Sequence, residues 1–484
     1  SQTTIFGTLT NPTNLVQTAT YTVTPRSGTC SGASFTVTVT VNPKPFVTPR
    51  TETICSGGTF TVNPINSAPT AATIVPSGTT YSWSAPVVSG ITGTASGTAQ
   101  STISGSLINS TNAPINVVYT ITPTSGASGN CVGSSFTLTV TVNPTPYVSD
   151  QTASSCSGTA FTVAPLNGGS TSNIVPTGIT YSWSAPTVTG GLTGGVSAIG
   201  QTIIAGNLTN PTNSIQTAIY TVTPSTSLCT GLPFTVTVTI NPKPFVTPRT
   251  ETICSGGTFT TTLTDGSPLA STIIPLGTTY SWSAPTVTGG ITGGVAGTSH
   301  STIFGTLTNP TNLVQTATYT VTPTSGTTGS CVGSAFTVTV TVNPKPVIPV
   351  QASTICSGSA FTVSPVNAPQ ATPAIIVPNG TTYTWTVVDN PDVSGDVDQP
   401  TAQTNISQNL INLTNTVQTV VYTVTPASGA AGNCVGLPFT LTVTVNPTPV
   451  VPNQSLTICG GTAFTVTPSN AAPTAATIVP SGTT

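Results

Sequence analysis

Between Cys331 and Pro346 the apolar residues Phe336, Val338, Val340 and Val342 alternate with Thr337, Thr339 and Thr341. This period of two predicts a strand with one face buried and the other lined with hydroxyls. Asn343-Pro344 ends it, because proline has no N–H with which to continue a ladder. The same stretch recurs from Cys30, Cys131, Cys229 and Cys434 with small changes. A second motif of the TICSGGTF type places cysteines at 55, 156, 254, 356 and 459, in steps of 101, 98, 102 and 103 residues. A period near one hundred is a whole domain rather than a solenoid turn.

Within a unit the pattern predicts a short strand Phe60 to Val62 after the first cysteine, then a variable segment, then a turn at Pro76, Ser77 and Gly78. Tyr81 and Trp83 follow on one face of the next strand, and Trp183, Trp282 and Trp385 recur at the same place, so one large aromatic is expected to anchor each core. A strand such as Thr302 to Leu307, the loop NPTN, a strand holding Tyr319, Val321 and Pro323, and the strand described first complete the unit. Six or seven short strands and no helical period predict an all-β chain, a tandem array of immunoglobulin-like antiparallel β-sandwich domains. The prolines between units, as in NPKPVIPVQASTI, predict stiff linkers and a thin, extended array.

Composition narrows the function. Only 3% of the 484 residues are charged, and six Lys and Arg leave no basic patch for phosphates or anionic lipid. Nucleic-acid binding and direct membrane insertion are therefore not expected, and no apolar run is long enough to span a bilayer. The one histidine, His300, lies in a variable Gly/Thr stretch where other units carry Gln, so it reads as a solvated loop residue and no enzyme is expected. Asp389, Asp392, Asp396 and Asp398 form a single acidic loop, a weak calcium candidate or a solvated acidic loop, confined to one unit. No cofactor is otherwise expected. The Thr ladders read as wetted sheet rather than a glycan- or ice-matching array, and Asn109 and Asn207 stand in sequons permissive for glycosylation. The absence of an initiator Met and the alignment of both ends inside a unit read as a segment of something longer.

Taken in order, ICSG, TTYSWSAP, VYTVTP, CxG and FTVTVTVNPxP resemble the PKD-like repeats of very large Bacteroidetes cell-surface proteins, among them gliding-motility adhesins exported by the type IX secretion system. The chain departs from the better-known PKD consensus in having no WDFGDG-type turn. The internal period divides the chain into partial repeats at 1–45 and 450–484 around complete repeats at 46–146, 147–244, 245–346 and 347–449, each of which the resemblance makes PKD-like. It also implies an extracellular, cell-surface stalk or filament that projects a distal adhesive region. Partners are then neighbouring repeats of the same chain, extracellular surfaces or polysaccharide, or a surface motility and secretion machinery. Repeats that themselves bind carbohydrate, and a self-assembling fibre or surface layer, are the alternatives.

Ten cysteines in two regular contexts predict structural disulfides rather than zinc ligands. Pairing within a repeat competes with pairing across a linker, as Cys30 with Cys55. If the first and last strands of a sandwich both start at the same pole, the pairs are Cys55–Cys131, Cys156–Cys229, Cys254–Cys331 and Cys356–Cys434, with Cys30 and Cys459 lacking partners.

Overall fold

The computed structural model describes residues 2–65, 73–126, 129–168, 172–265, 272–326, 329–371, 374–429, 432–470 and 477–484. By internal contact the chain forms two units, Ser1–Asn210 with Ile215–Asn241, and Pro211–Ser214 with Pro242–Thr484. Each unit is built from copies of one sandwich, and the copy that begins near Phe46 shows how the sequence makes it.

Its larger sheet orders five strands as Arg50–Cys55, Phe136–Asn143, Ile115–Thr124, Thr80–Trp83 and Gly97–Gln100. The facing layer pairs Thr59–Val62 with Ile103–Ser106, and Ile91–Thr92 with Ile108–Asn109. Alternation along Phe136–Asn143 sends Phe136, Leu138, Val140 and Val142 into the core. Across the pair, Val117, Tyr119 and Ile121 meet them, and the threonines between keep the outer face wet. The same architecture recurs with cores around Tyr220, Tyr319 and Tyr422. Among the described residues no helix is long and apolar enough to cross a membrane.

The opening strand Arg50–Cys55 is the element that alternation did not predict. Its letters, RTETIC, carry few apolar residues and follow three prolines, so they resemble linker. It forms because it occupies a sheet edge, where one row of hydrogen bonds suffices and half-exposed polar side chains are tolerated. It runs parallel to the closing strand, with Arg50 opposite Leu138 and Cys55 opposite Asn143. Equivalent parallel edges are Gln151–Cys156, Arg249–Cys254 and Gln351–Cys356. Consequently the stiff linker is shorter than expected. Only Pro144, Thr145 and Pro146 separate the end of one closing strand at Asn143 from the bridge Tyr147–Ile174 that begins the next repeat.

The terminal segments are sparser. Gln17–Val23 pairs with Phe35–Val41, and Tyr21, Phe35 and Val39 on that hairpin are exposed. Within 450–484 the described residues form no strand, only the isolated bridge Val450–Ile478.

The aromatic centre also differs from expectation in detail. Tyr81 and Tyr119, and their counterparts Tyr181, Tyr220, Tyr280, Tyr319, Tyr383 and Tyr422, are the more deeply buried rings. Trp183, Trp282 and Trp385 are buried, whereas Trp83 is only partly covered against its core. Trp83 packs beside the outermost strand of the sheet, over the glycine it faces across the strand pair, since a Cβ at Gly97 would collide with its ring. Burial raises the pKa of all eight tyrosines. That of Tyr280 is pushed up to about 12 by burial and then by the Asp265 charge.

Candidate functional site at the module junction

The parallel opening strand decides where the cysteines point. Because Cys55 lies opposite Asn143, it sits at the pole where the chain leaves its repeat. Cys131 instead precedes Phe136 and lies at the other end of the closing strand, eight residues long. At about 3.4 Å per residue that strand holds the two sulfurs roughly 27 Å apart, far beyond disulfide reach. The expected pair Cys55–Cys131 therefore does not form. Cys55 is bonded instead to Cys229, with a Cα–Cα distance of 5.7 Å and 174 residues between them. In the second unit Cys254 is bonded to Cys434, at 5.6 Å and 180 residues.

These bonds also replace the expected pairs Cys156–Cys229, Cys254–Cys331 and Cys356–Cys434. Cys156 and Cys331 are disulfide-bonded as well. Among the described residues the thiols of Cys30, Cys131, Cys356 and Cys459 are unpaired. The physical reason is that a strand ends on the first cysteine, Arg50–Cys55, as well as following it, Thr59–Val62. The pattern is the same in both bonds: the cysteine at the trailing pole of one repeat joins the cysteine at the leading pole of the next.

Sequence motifs around these cysteines now acquire reasons. In CxG, a Cβ at Gly133 would collide with the carbonyl of Pro45, the last residue before the repeat begins, and Gly231 stands in the same way against Pro146. The glycine lets the incoming linker lie directly on the loop that carries the leading cysteine. In CSG, the Ser56 hydroxyl accepts the N–H of Asn109 at 2.9 Å and donates to its carbonyl at 3.2 Å. Asn109, 1% exposed, then donates from Nδ2 to Ala113 O and Val142 O at 2.8 and 2.9 Å, while Oδ1 accepts from the N–H and hydroxyl of Thr111. This latch fixes the trailing pole to the closing strand. Asn309 and Asn412 repeat it. Alternation could not reveal it, although the recurrence of Asn-x-Thr 53 to 55 residues after the serine of CSG in each complete repeat was a signal. It also corrects the glycosylation reading at Asn109, whose amide is buried and committed; Asn207 is exposed.

The junction in the first unit is not tightly packed. A groove of about 260 Å³ separates Pro114 and Pro144 of one repeat from Pro176 and Leu228 of the next.

The other candidate residues fall elsewhere. In the acidic loop, Asp396 Oδ2 accepts the N–H of Asn390 at 2.9 Å and Asp398 Oδ1 accepts the N–H of Val387 at 2.8 Å, so two carboxylates serve the backbone. Asp389 and Asp392 are exposed. Among the described residues no three His, Cys, Asp or Glu side chains converge as a metal site. His300 packs its ring between Trp282 and Phe304, at centroid distances of 5.4 and 5.1 Å, rather than lying free in a loop.

No curated protein matches the chain. Among solved structures it is similar to the human desmocollin-1 ectodomain at 11% identity, over 83% of this chain and 80% of that one, with a TM-score of 0.22. It is also similar to a titin I-band fragment, I67–I69, at 7% identity, over 63% and 96%, with a TM-score of 0.25. A third is the insect immune protein hemolin, at 10% identity, over 83% and 99%, with a TM-score of 0.20. The PKD-like domain family matches residues 1–45, 52–146, 153–244, 251–346 and 353–449. These segments cover most of the chain and coincide with its sandwiches, and the chain belongs to the PKD-like domain family.

Proposed function

We propose that this chain is the structural stalk of an extracellular adhesin, a covalently stapled array that holds a distal binding region away from its anchor. The observation that carries the reading is the bond between successive repeats, Cys55 to Cys229 and Cys254 to Cys434. A disulfide inside a domain stabilises that domain; one that bridges two domains resists their separation and bending. Disulfides of this kind persist in oxidising surroundings, which supports an extracellular place. The scarcity of charge and the wetted threonine faces fit a scaffold. Attachment to the cell surface, service in gliding motility and export by the type IX route are the finer parts of this proposal, and they rest on the resemblance of the motifs.

Small-angle scattering of the oxidised chain tests the reading. Repeats of about 40 Å each, placed end to end, give four complete repeats a length on the order of 160 Å. One compact globule of this mass has a radius of gyration of about 23 Å. A rod profile supports the stalk, and a compact particle or a freely jointed string of beads contradicts it.

A further inference from the structure

The repeat that spans 347–449 departs from the others around its tryptophan. In the three preceding repeats the indole N–H is satisfied, Trp83 Nε1 donating to Ala95 O at 3.0 Å, and Trp183 and Trp282 to Val196 O and Val295 O at 3.1 Å. The equivalent carbonyl, Val397 O, is taken instead by Gln408 Nε2 at 2.6 Å. Gln408 stands where the others carry Gly105, Gly206 and Gly305, and its Oε1 also accepts the hydroxyl of Tyr422 at 2.7 Å. Trp385 Nε1 is left buried without a partner, on a residue 4% exposed. Buried donors in native folds nearly always have a partner, so this one calls for an acceptor from outside the chain.

An opening is present beside it. Trp385, Gln399, Gln403, Asn405, Ser407 and Gln408 line a cavity of about 190 Å³. Gln399 replaces the glycine that faces Trp83 and Trp282, and Ser407 replaces Phe304, which closes over Trp282 at a centroid distance of 6.0 Å. The lining has an aromatic ring, amides and a hydroxyl, and no charged side chain. Amides and hydroxyls both donate and accept, which suits a ligand whose own groups do both. The volume is below the roughly 300 Å³ at which pockets for drug-sized ligands begin, so it takes one ring rather than a chain.

We propose that this cavity binds a single neutral sugar ring, such as the terminal residue of a glycan, with a ligand hydroxyl accepting from Trp385 Nε1. The site belongs to this repeat alone among the four complete ones and does not depend on the stalk reading. A ligand of about a dozen heavy atoms in so open a site binds at the millimolar level.

The test is titration of the ¹⁵N-labelled full chain with glucose, galactose, mannose and N-acetylglucosamine, following the indole N–H signals. Trp385→Phe assigns the signal of Trp385. The expected result is that at least one sugar shifts this signal while those of Trp83, Trp183 and Trp282 stay. Ser407→Phe, which restores the closure of the preceding repeat, should abolish the shift. Gln399→Gly, which should leave the fold intact, should weaken binding several-fold and decides the matter if Ser407→Phe perturbs the other indole signals. No shift with any of the four sugars overturns the proposal, as does a shift that survives both variants; the first result would mean that water satisfies the indole.

Discussion

Cys55 and Asn143 stand opposite one another at the ends of two parallel strands, and that one pairing directs a disulfide out of its own repeat and into the next. Reversed over the same residues, the edge strand would have put Cys55 opposite Leu138, toward the pole where Cys131 precedes the closing strand. The direction of one six-residue strand thus separates an array of independently stapled beads from an array stapled across its joints.

The first consequence is mechanical. Residues 56–228 lie inside the loop closed by Cys55–Cys229, and residues 255–433 inside that closed by Cys254–Cys434. In single-molecule pulling, the oxidised chain should release little length from these segments even when a sandwich unfolds. After reduction each repeat should release on the order of 340 Å, from about one hundred residues at roughly 3.4 Å each. Full-length release steps from the oxidised chain would show that the bonds do not carry load.

The second concerns the latch at the trailing pole. Asn109→Ala and Asn412→Ala leave the Val142 and Val445 carbonyls without the amide donor, inside a region that water does not reach. Each should cost on the order of 2 kcal/mol or more, because a buried group loses its partner. Denaturant melting of the variant chains checks this, and a change within a few tenths of a kcal/mol would mean that the loop re-forms without the latch.

Much of the fold could be read from alternation, since in each of the four complete repeats the closing strand and its tyrosine partner bury one face with a strict period of two. The edge strand could not, because RTETIC and QASTIC satisfy a ladder rather than a core, and edge pairing leaves no apolar signature. The site depended on that strand. The cysteines were visible from their spacing, but their pairing is a matter of strand direction, which composition does not encode. Likewise Gln408 and Gln399 look like ordinary polar variation until the structure places both beside Trp385.

The third prediction is an alkaline limit. Burial holds the eight core tyrosines protonated above their usual range, so from about pH 10 the unfolded chain loses protons that the folded chain keeps. The folded state then binds more protons than the unfolded one, and stability falls as pH rises. It is fully present below pH 10 and should be lost steeply toward about 12, the value to which Tyr280 is pushed. Absorbance titration of tyrosinate should show cooperative ionisation coincident with loss of structure; gradual ionisation near pH 10 in a folded chain would contradict the burial.

The fourth concerns calcium. Two of the four loop carboxylates, Asp396 and Asp398, already accept backbone N–H groups. Chelation with EDTA should therefore leave the melting temperature unchanged. A drop of several degrees would show that the acidic loop holds a structural ion.

The most direct test of the junction staple is peptide mapping of the chain under non-reducing conditions, with pepsin digestion in acid so that thiolate exchange is suppressed. Mass spectrometry should find Cys55 linked to Cys229 and Cys254 linked to Cys434, with each link lost on reduction. Finding Cys55 with Cys131, or Cys356 with Cys434, would return every staple to its own repeat and remove the basis of the stalk.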